Sequence, residues 1–194
     1  MDEVTNPKAT KQIEKVAAKN SDDLAQELIQ HNLAAKKKII DDAIADGILN
    51  KSNKVKGNFG EMVCDYEFLS KQFTINGRTG TFKRISKDAT ESLDDPIRKG
   101  IDGIYEFSNP PPKYVVNESK FGKSSLSRTV TASGGTQMTE RWIEWLLRDL
   151  PLHQYKDVMK HGYESVVTRV AKDGKVSYSK LNKDAKVVNK YWPI

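Results

Sequence analysis

Two short segments of the sequence carry carboxylates and a lysine at spacings that suit phosphodiester chemistry. The segment KGIDGIYEF contains Asp102, and the segment YVVNESKFG contains Glu118 and Lys120 two residues apart. Side chains two apart on a strand project from the same face, so Glu118 and Lys120 are expected to lie together. Pairing of the two segments as a hairpin would bring Asp102 beside them. Neighbouring carboxylates repel each other, and a divalent cation such as Mg²⁺ or Mn²⁺ resolves that repulsion.

The chemistry that such a set supports is hydrolysis of a phosphodiester. A bound divalent cation lowers the pKa of a bound water and polarises the phosphate. The Lys120 ammonium would orient that water or neutralise the charge that develops on the phosphate. The same spacing also fits a simpler arrangement, in which Asp102, Glu118 and Lys120 face solvent and form cross-strand ion pairs. Gly100 and Gly103 on either side of Asp102, and the apolar residues that flank both segments, favour the site.

The N-terminal part of the chain has the pattern of a helical extension. Apolar residues recur at helical intervals from about residue 10 to residue 49, which predicts helix there. Ser21, followed by two aspartates, is typical of a helix start, because its hydroxyl can accept a free first-turn N–H. The run of three lysines at 36–38 is most simply a solvated face. We expect residues 1–53 to form an extension that precedes the main domain.

The segment that begins near residue 54 predicts a helix that carries Glu61. Apolar residues recur along two sides of this segment, so the helix is expected to be sandwiched between other elements. Asn76-Gly77 then marks a turn, and residues 81–85 are expected to form a strand. The apolar positions assigned to the helix are Phe59, Met62, Val63, Cys64, Tyr66, Phe68, Leu69 and Phe73.

Two hairpins and a second helix are expected further along the chain. Residues 101–107 and 114–121 predict paired strands, because the prolines between them lack N–H donors and fit a connection. Residues 165–171 and 175–181 predict a second pair around Asp173-Gly174, since those two residues tolerate positive φ. Between the hairpins, the segment QMTERWIEWLL has helical spacing.

The bulk composition favours one domain with a modest extension and a polyanionic partner. The chain has 194 residues, a mass of 21.9 kDa, a formal net charge of +6 and a sequence pI of about 9.2. The single cysteine, Cys64, cannot form an internal disulfide, and no cysteine or histidine cluster has zinc-ligand spacing. Neither an apolar run long enough to span a membrane nor an N-terminal signal segment is expected.

Four segments together resemble a known superfamily. The order Glu61, Asp102, Glu118-Ser119-Lys120 resembles the PD-(D/E)XK, or restriction-endonuclease-like, nucleases. The fuller segments GNFGEM, KGIDGIY, YVVNESK and GGTQMTERWI are similar to the nuclease toxin domains of bacterial polymorphic toxins, including contact-dependent inhibition and secretion-system effectors. The resemblance covers about residues 54–150.

The resemblance implies a fold and a set of roles. The fold would be α/β (α+β), a mixed β-sheet flanked by helices, with residues 54–194 as the nuclease domain. Asp102 and Glu118 would be ligands of a divalent metal, Mg²⁺ or Mn²⁺ with Zn²⁺ as a further option, and Lys120 would be the catalytic lysine. Glu61 would complete the metal site from the first helix of the domain. Gln137 would lie near the scissile phosphate.

Several residues are candidates for contact with nucleic acid. Lys123 and Arg141 are expected to contact phosphate. Trp142 and Trp145 could stack on bases, but two tryptophans at helical spacing are more typical of a core. The lysines near the C-terminus could supply nonspecific backbone contacts or could serve only solubility, namely Lys172, Lys175, Lys180, Lys183, Lys186 and Lys190.

The expected substrate is nucleic acid, with DNA favoured over RNA. The same site could act on structured RNA such as tRNA, and a basic binding module without catalysis is a third hypothesis. The resemblance implies a toxin that is delivered from a producing bacterium into the cytoplasm of a target bacterium. It also implies a cognate immunity protein that neutralises the toxin.

Overall fold

The computed structural model describes residues 7–87 and 89–193, with side chains from Asp23 onward except Leu49. In this part of the chain four α-helices and a short 3-10 helix accompany a mixed sheet. Two compact units divide the chain, Met1–Ala35 and Lys36–Ile194, and the whole sheet belongs to the second. The helices are α1 (Pro7–Ala45), α2 (Asn53–Ser70), α3 (Glu140–Leu147) and α4 (Leu152–His161), and the 3-10 helix is Ile48–Asn50.

The described part of the second unit contains a seven-stranded sheet whose spatial order follows the order of the strands in sequence. All neighbouring strands are antiparallel except β4 and β5, which are parallel and are connected through α3 and α4. The prediction of an α+β protein with a mixed sheet is therefore confirmed. The strands are β1 (Gln72–Ile75), β2 (Arg78–Arg84), β3 (Gly103–Phe107), β4 (Tyr114–Phe121), β5 (Tyr163–Val170), β6 (Val176–Leu181) and β7 (Val187–Asn189).

Strand β4 is the centre of the sheet, and helices cover both of its faces. Its first six residues are buried, and alternate side chains enter different hydrophobic clusters. Val116 packs with Trp142 and Ile143 of α3. On the opposite face, the Asn117 side-chain amide donates to Cys64 Sγ of α2 over 2.9 Å. A strand covered on both sides can hold a charged side chain out of water, and this is the setting of Glu118.

Helix α2 is sandwiched, as its two apolar sides predict. The Ser52 hydroxyl accepts a hydrogen bond from Val55 N over 3.3 Å and caps the helix start. One side of the helix contributes Phe68 to a cluster that includes Tyr105 of β3. The other side contributes Phe59, Met62 and Val63 to a cluster with Ile40, Ala43 and Ile48 from the preceding chain.

Both predicted hairpins are confirmed. Strands β3 and β4 pair with Gly103 opposite Asn117, and β5 and β6 pair with Val170 opposite Val176 around the Asp173-Gly174 turn. The strand expected at 81–85 is also present, as part of β2.

Other local predictions are wrong. Ser21 does not start a helix, because α1 runs without interruption from Pro7 to Ala45. Phe73 lies in β1 instead of on the helix. Lys36 is buried and bonds to Asp65 over 2.7 Å, whereas its neighbours Lys37 and Lys38 are exposed. No helix in the described part of the chain is both long enough and apolar enough to cross a membrane.

Candidate active site

A cleft of about 960 Å³ in the second unit is lined by all five residues predicted to be catalytic. Strand β4 contributes two of them, and α2, the residue before β3 and the loop before α3 contribute one each. Residues that are up to 76 positions apart in sequence thus face one space, because the sheet and α2 converge there. These residues are Glu61, Asp102, Glu118, Lys120 and Gln137.

Glu118 is the most deeply buried of these side chains, with 3% of it exposed. Its Oε1 accepts a hydrogen bond from Lys120 Nζ over 2.7 Å and a second from Gln137 Nε2. Its Oε2 is buried and has no hydrogen-bond partner in the described structure. A buried carboxylate oxygen without a partner is costly, so this atom is where a ligand would be most strongly favoured.

Asp102 is held beside Glu118 by the backbone of β4. It immediately precedes β3, whose first residue, Gly103, pairs with Asn117. Its Oδ2 accepts a hydrogen bond from Ser119 N over 2.7 Å. The hairpin register therefore places this carboxylate next to that of Glu118.

The carboxyls of this pair resist ionising together. Burial raises the pKa of Asp102 well above its usual value, and the charges of Glu118 and Glu61 raise it further. Burial also raises the pKa of Glu118, to about 7, against the opposing effect of Lys120. A positive charge between them would favour the ionised form of both carboxyls.

Glu61 approaches the site because Gly60, its neighbour in α2, leaves room for close packing against β4. A Cβ at Gly60 would lie 3.1 Å from Ser119 Oγ, so glycine lets the helix come close to β4. Gly57, one turn before Glu61, also lines the cleft. The Glu61 Oε2 accepts a hydrogen bond from Thr90 Oγ1 over 2.6 Å, and its charge raises the pKa of Asp102.

Gln137 connects a polar loop to Glu118. Its Oε1 accepts a hydrogen bond from Ser127 N over 2.8 Å, while its Nε2 donates to Glu118. These two bonds fix the orientation of the amide, because the backbone N–H requires the oxygen on its side. The amide therefore presents a donor, and not an acceptor, to the carboxylate.

The residues present fit a hard divalent cation held by two carboxylates. Within residues 7–87 and 89–193, no group of three or more His, Cys, Asp or Glu side chains is arranged to hold a metal ion. Glu61, Asp102 and Glu118 thus do not form a ready-made three-carboxylate site. Mg²⁺, however, is commonly held by one or two carboxylates, with waters and phosphate oxygens completing its coordination. The unpartnered Glu118 Oε2 and the neighbouring Asp102 carboxylate suit that mode.

The two predicted phosphate-binding residues lie elsewhere. Neither Lys123 nor Arg141 is among the described residues that line the cleft. The Arg141 Nε donates to Ser133 O over 2.7 Å, and a Cβ at Gly134 would come within 2.7 Å of the guanidinium carbon. Arg141 thus supports the turn around Gly134, and its contact with phosphate remains a prediction.

Two lysines that line the cleft escaped the sequence interpretation, and the expectation that Trp145 belongs to the core is wrong. Lys56 and Lys99 line the cleft and bring positive charge to it. Trp142 is buried, as expected of a core residue, but Trp145 is 48% exposed and also lines the cleft. The nearness of the two lysines in sequence to the predicted site residues could have indicated them, because Lys56 lies five residues before Glu61 and Lys99 three residues before Asp102.

Comparison of the chain with family models, curated proteins and solved structures finds no match. The restriction-endonuclease-like topology and the resemblance to toxin domains therefore stay predictions. An activity for this chain must therefore be inferred from the geometry of the cleft.

Proposed function

We propose that the protein is a metal-dependent nuclease that hydrolyses phosphodiester bonds in this cleft. The observation that supports the proposal best is the state of Glu118, which is buried beside Asp102. One of its oxygens is shared by Lys120 and Gln137, and the other has no partner. Burial without full bonding is destabilising, so this state needs compensation, either by a proton shared with Asp102 or by a bound cation.

The chain supplies a role for each of these groups. A divalent ion held by Asp102 and Glu118, Mg²⁺ or Mn²⁺ by its preference for oxygen, would supply an acidified water and polarise the phosphate. Lys120 holds an ammonium at the cleft, where it can stabilise the negative charge that develops on a phosphate oxygen. Gln137 fixes the position of Glu118, and Glu61 adds the negative charge that favours a cation.

Solvent-facing ion pairs do not describe this cluster. Glu118 is 2% exposed as a residue, and the Lys120 side chain is 15% exposed. Cross-strand pairs on a wet face would leave both carboxylate oxygens free to bond water. The alternative that remains is a binding module, which would show salt-sensitive binding without metal-dependent hydrolysis.

The proposal predicts that two conservative substitutions remove cleavage without unfolding the protein. Asp102→Asn keeps an oxygen that can accept from Ser119 N, and Lys120→Met keeps the aliphatic stem of the lysine. Each should lower the rate of phosphodiester cleavage by about 10²-fold or more, the usual effect of losing one group that stabilises charge at the reacting centre. The assay is cleavage of plasmid DNA and of total RNA with Mg²⁺ or with EDTA.

Lys156→Met is the matched control for Lys120→Met. Lys156 is an exposed cation of α4 and does not belong to the described cleft lining. Its variant should keep the cleavage rate. Wild-type cleavage by a well-folded Asp102→Asn protein, or activity that survives EDTA, would refute the proposed mechanism. The plasmid and RNA arms decide between DNA, the favoured substrate, and RNA.

The toxin role is a further proposal that rests on the resemblance of the four sequence segments. Delivery into the cytoplasm of a target bacterium and neutralisation by a cognate immunity protein belong to the same proposal. Induced expression of the chain inside bacteria should arrest their growth, and expression of Lys120→Met should not. Equal growth of the two cultures at equal protein levels would count against a nuclease toxin.

A further inference from the structure

Trp145 is an exposed indole in the cleft that holds the candidate catalytic residues. Helix α3 directs Trp142 into the core, where it is 6% exposed, and leaves Trp145 48% exposed. Trp145 lines the same cleft as Glu118 and Lys120. The side chain of a tryptophan is the largest apolar surface that a residue can offer, and its flat face suits stacking. The core of α3 is complete without it, because Trp142, Ile143 and Leu147 are the buried residues of this helix.

We propose that the cleft binds an unpaired stretch of nucleic acid and that Trp145 stacks on one of its bases. The proposal rests on the nuclease function inferred above and names the form of its substrate. Stacking on an aromatic residue is the common way in which proteins hold single-stranded DNA or RNA, and it tolerates any base because every base has a π-face.

The charge of the cleft complements a phosphate backbone. Lys56 from α2 and Lys99 from the segment before β3 line the cleft together with Lys120. The Arg148 guanidinium lies over the Trp145 ring, with its carbon 5.4 Å from the ring centroid. Cationic groups beside an aromatic face combine the two interactions that single-strand binding uses, phosphate neutralisation and base stacking.

An unpaired strand fits the cleft better than a duplex does. In a duplex the faces of each interior base are covered by neighbouring base pairs, so away from the duplex ends an indole can stack only on a base that has left the helix. Glu118 lies at depth, with 3% of its side chain exposed, so a scissile phosphate must reach into the protein. A space of about 960 Å³ is at the upper end for small-ligand pockets, whereas duplex DNA is usually recognised over a broad surface.

One wall of the cleft contributes uncharged lining residues that are rich in hydroxyl groups. It is formed by the loop at residues 124–133, which is tied to the site through the bond from Ser127 N to Gln137. Hydroxyl groups can donate or accept, so they can hydrogen-bond to sugars and base edges without requiring one sequence. The hydroxyl residues of this wall are Ser124, Ser127, Thr129, Thr131 and Ser133.

The test compares binding of single strands and duplexes by the full chain. Fluorescent oligonucleotides of one sequence, as single-stranded DNA, single-stranded RNA and blunt duplexes, are titrated in EDTA and again in Ca²⁺. We expect single strands to bind at least about tenfold more tightly than duplexes. Trp145→Ala should weaken single-strand binding by about 5- to 150-fold, the range for removal of one base stack, and should leave duplex binding unchanged.

Two further variants separate stacking from damage to the fold. Trp145→Phe retains a flat ring and should keep most of the single-strand affinity. Tyr191→Ala is the matched control, because Tyr191 is 84% exposed and does not belong to the described lining of the cleft. Its variant should bind as the wild type does. Thermal unfolding checks that each variant is folded.

The outcomes distinguish this inference from the proposed function. Equal affinity for single strands and duplexes, no binding of either, or wild-type binding by folded Trp145→Ala would overturn the inference. If the wild type and Trp145→Ala cleave at the same rate in Mg²⁺, the nuclease proposal is retained and the stacking role of Trp145 is refuted. Conversely, Trp145-dependent binding of single strands without cleavage in Mg²⁺ would overturn the nuclease proposal and retain the binding mode.

Discussion

Asp65 and Glu118 are buried carboxylates, each 2% exposed, and they differ in how fully their oxygens are bonded. Asp65 Oδ2 bonds to Lys36 Nζ over 2.7 Å, and its Oδ1 bonds to Arg84 Nη1 over 2.9 Å and to the Tyr105 hydroxyl over 3.1 Å. Glu118 has one oxygen with two partners and one with none. Asp65 therefore has the bonding of a structural group, and Glu118 has that of a group that awaits a ligand.

Asp65→Asn should destabilise the protein strongly without acting on the cleft. The substitution removes the negative charge that compensates Lys36 and Arg84, whose side chains are 7% and 12% exposed. Removing one partner of a buried ion pair costs about 3–5 kcal/mol. Urea unfolding at pH 7 measures the loss. Asp41→Asn is the control, because Asp41 pairs with Lys37 on an exposed helix surface. This substitution should cause no detectable change in the free energy of unfolding.

The contribution of Asp65 should also depend on pH. Burial works to raise the pKa of Asp65, but Arg84 and Lys36 outweigh it and hold the pKa below the usual 3.8. Because the pKa is lower in the folded state, the stabilisation is complete above about pH 4 and is lost as pH falls through the folded pKa. The difference in unfolding free energy between wild type and Asp65→Asn should thus shrink below pH 4. A difference that stays constant down to pH 2.5 would contradict this assignment.

The sequence predicts which side chains could share a face but not how deeply each lies. The spacing of Glu118 and Lys120 places both on one side of a strand, and the structure has them bonded. Lys36 and Lys37 have the same local sequence character, yet one is buried and the other exposed, because only Lys36 meets Asp65. Trp145 similarly has the helical spacing of a core residue and is left exposed by its position beyond the packed stripe of α3. Such outcomes depend on tertiary contacts that local pattern does not contain.

At the scale of elements, α2 and β4 are brought together by glycine. A Cβ at Gly60 would lie 3.1 Å from Ser119 Oγ and 3.5 Å from Phe121 Cβ, whereas a Cβ at Gly57 would meet nothing within 4 Å. Both residues lie in the same helix. Substituting alanine at each position therefore distinguishes the effect of helix propensity, which both share, from the effect of packing between α2 and β4, which only Gly60 has.

Gly57→Ala and Gly60→Ala should change stability in opposite directions. Gly57→Ala should stabilise by about 0.4–1 kcal/mol, because alanine restricts the unfolded chain and fits the open space. Gly60→Ala should destabilise by about 1–3 kcal/mol, because the buried Ser119 side chain must give way to admit the methyl group. Urea unfolding of both variants measures the effect. Equal changes in the two proteins would show that the approach of α2 to β4 does not depend on Gly60.

The elements that sequence predicted are those with strong local signals. Asp173-Gly174 marked one hairpin, and the prolines before Tyr114 marked the connection of the other. Helix α4 carried no such signal, since Val158 is its buried residue and its apolar residues Leu152 and Met159 are exposed. Strands β1 and β7, of four and three residues, are the two ends of the sheet order and are too short for a clear alternation.

At the scale of the whole molecule, the second unit contains all the parts that the proposed activity needs. The three hydrophobic clusters, the sheet and the described lining of the cleft are formed by residues after Ala35. The compact unit begins at Lys36, seventeen residues earlier than Asn53, the first residue of α2. The domain boundary expected from sequence lies between residues 53 and 54, and deletions can decide between the two positions.

A chain without residues 1–35 should unfold cooperatively at nearly the wild-type temperature and should retain cleavage. A chain without residues 1–53 should not fold stably. The longer deletion removes Ile40, Ala43 and Ile48 from their cluster and leaves Asp65 without Lys36. Each buried isoleucine contributes about 1.5–3 kcal/mol, and the broken ion pair adds about 3–5 kcal/mol. The sum of these losses is comparable to the free energy of unfolding of a typical domain, which is about 5–15 kcal/mol. Thermal unfolding and the Mg²⁺-dependent cleavage assay on both deletions measure the outcome, and a cooperative, active 54–194 fragment would place the boundary where the sequence predicts it.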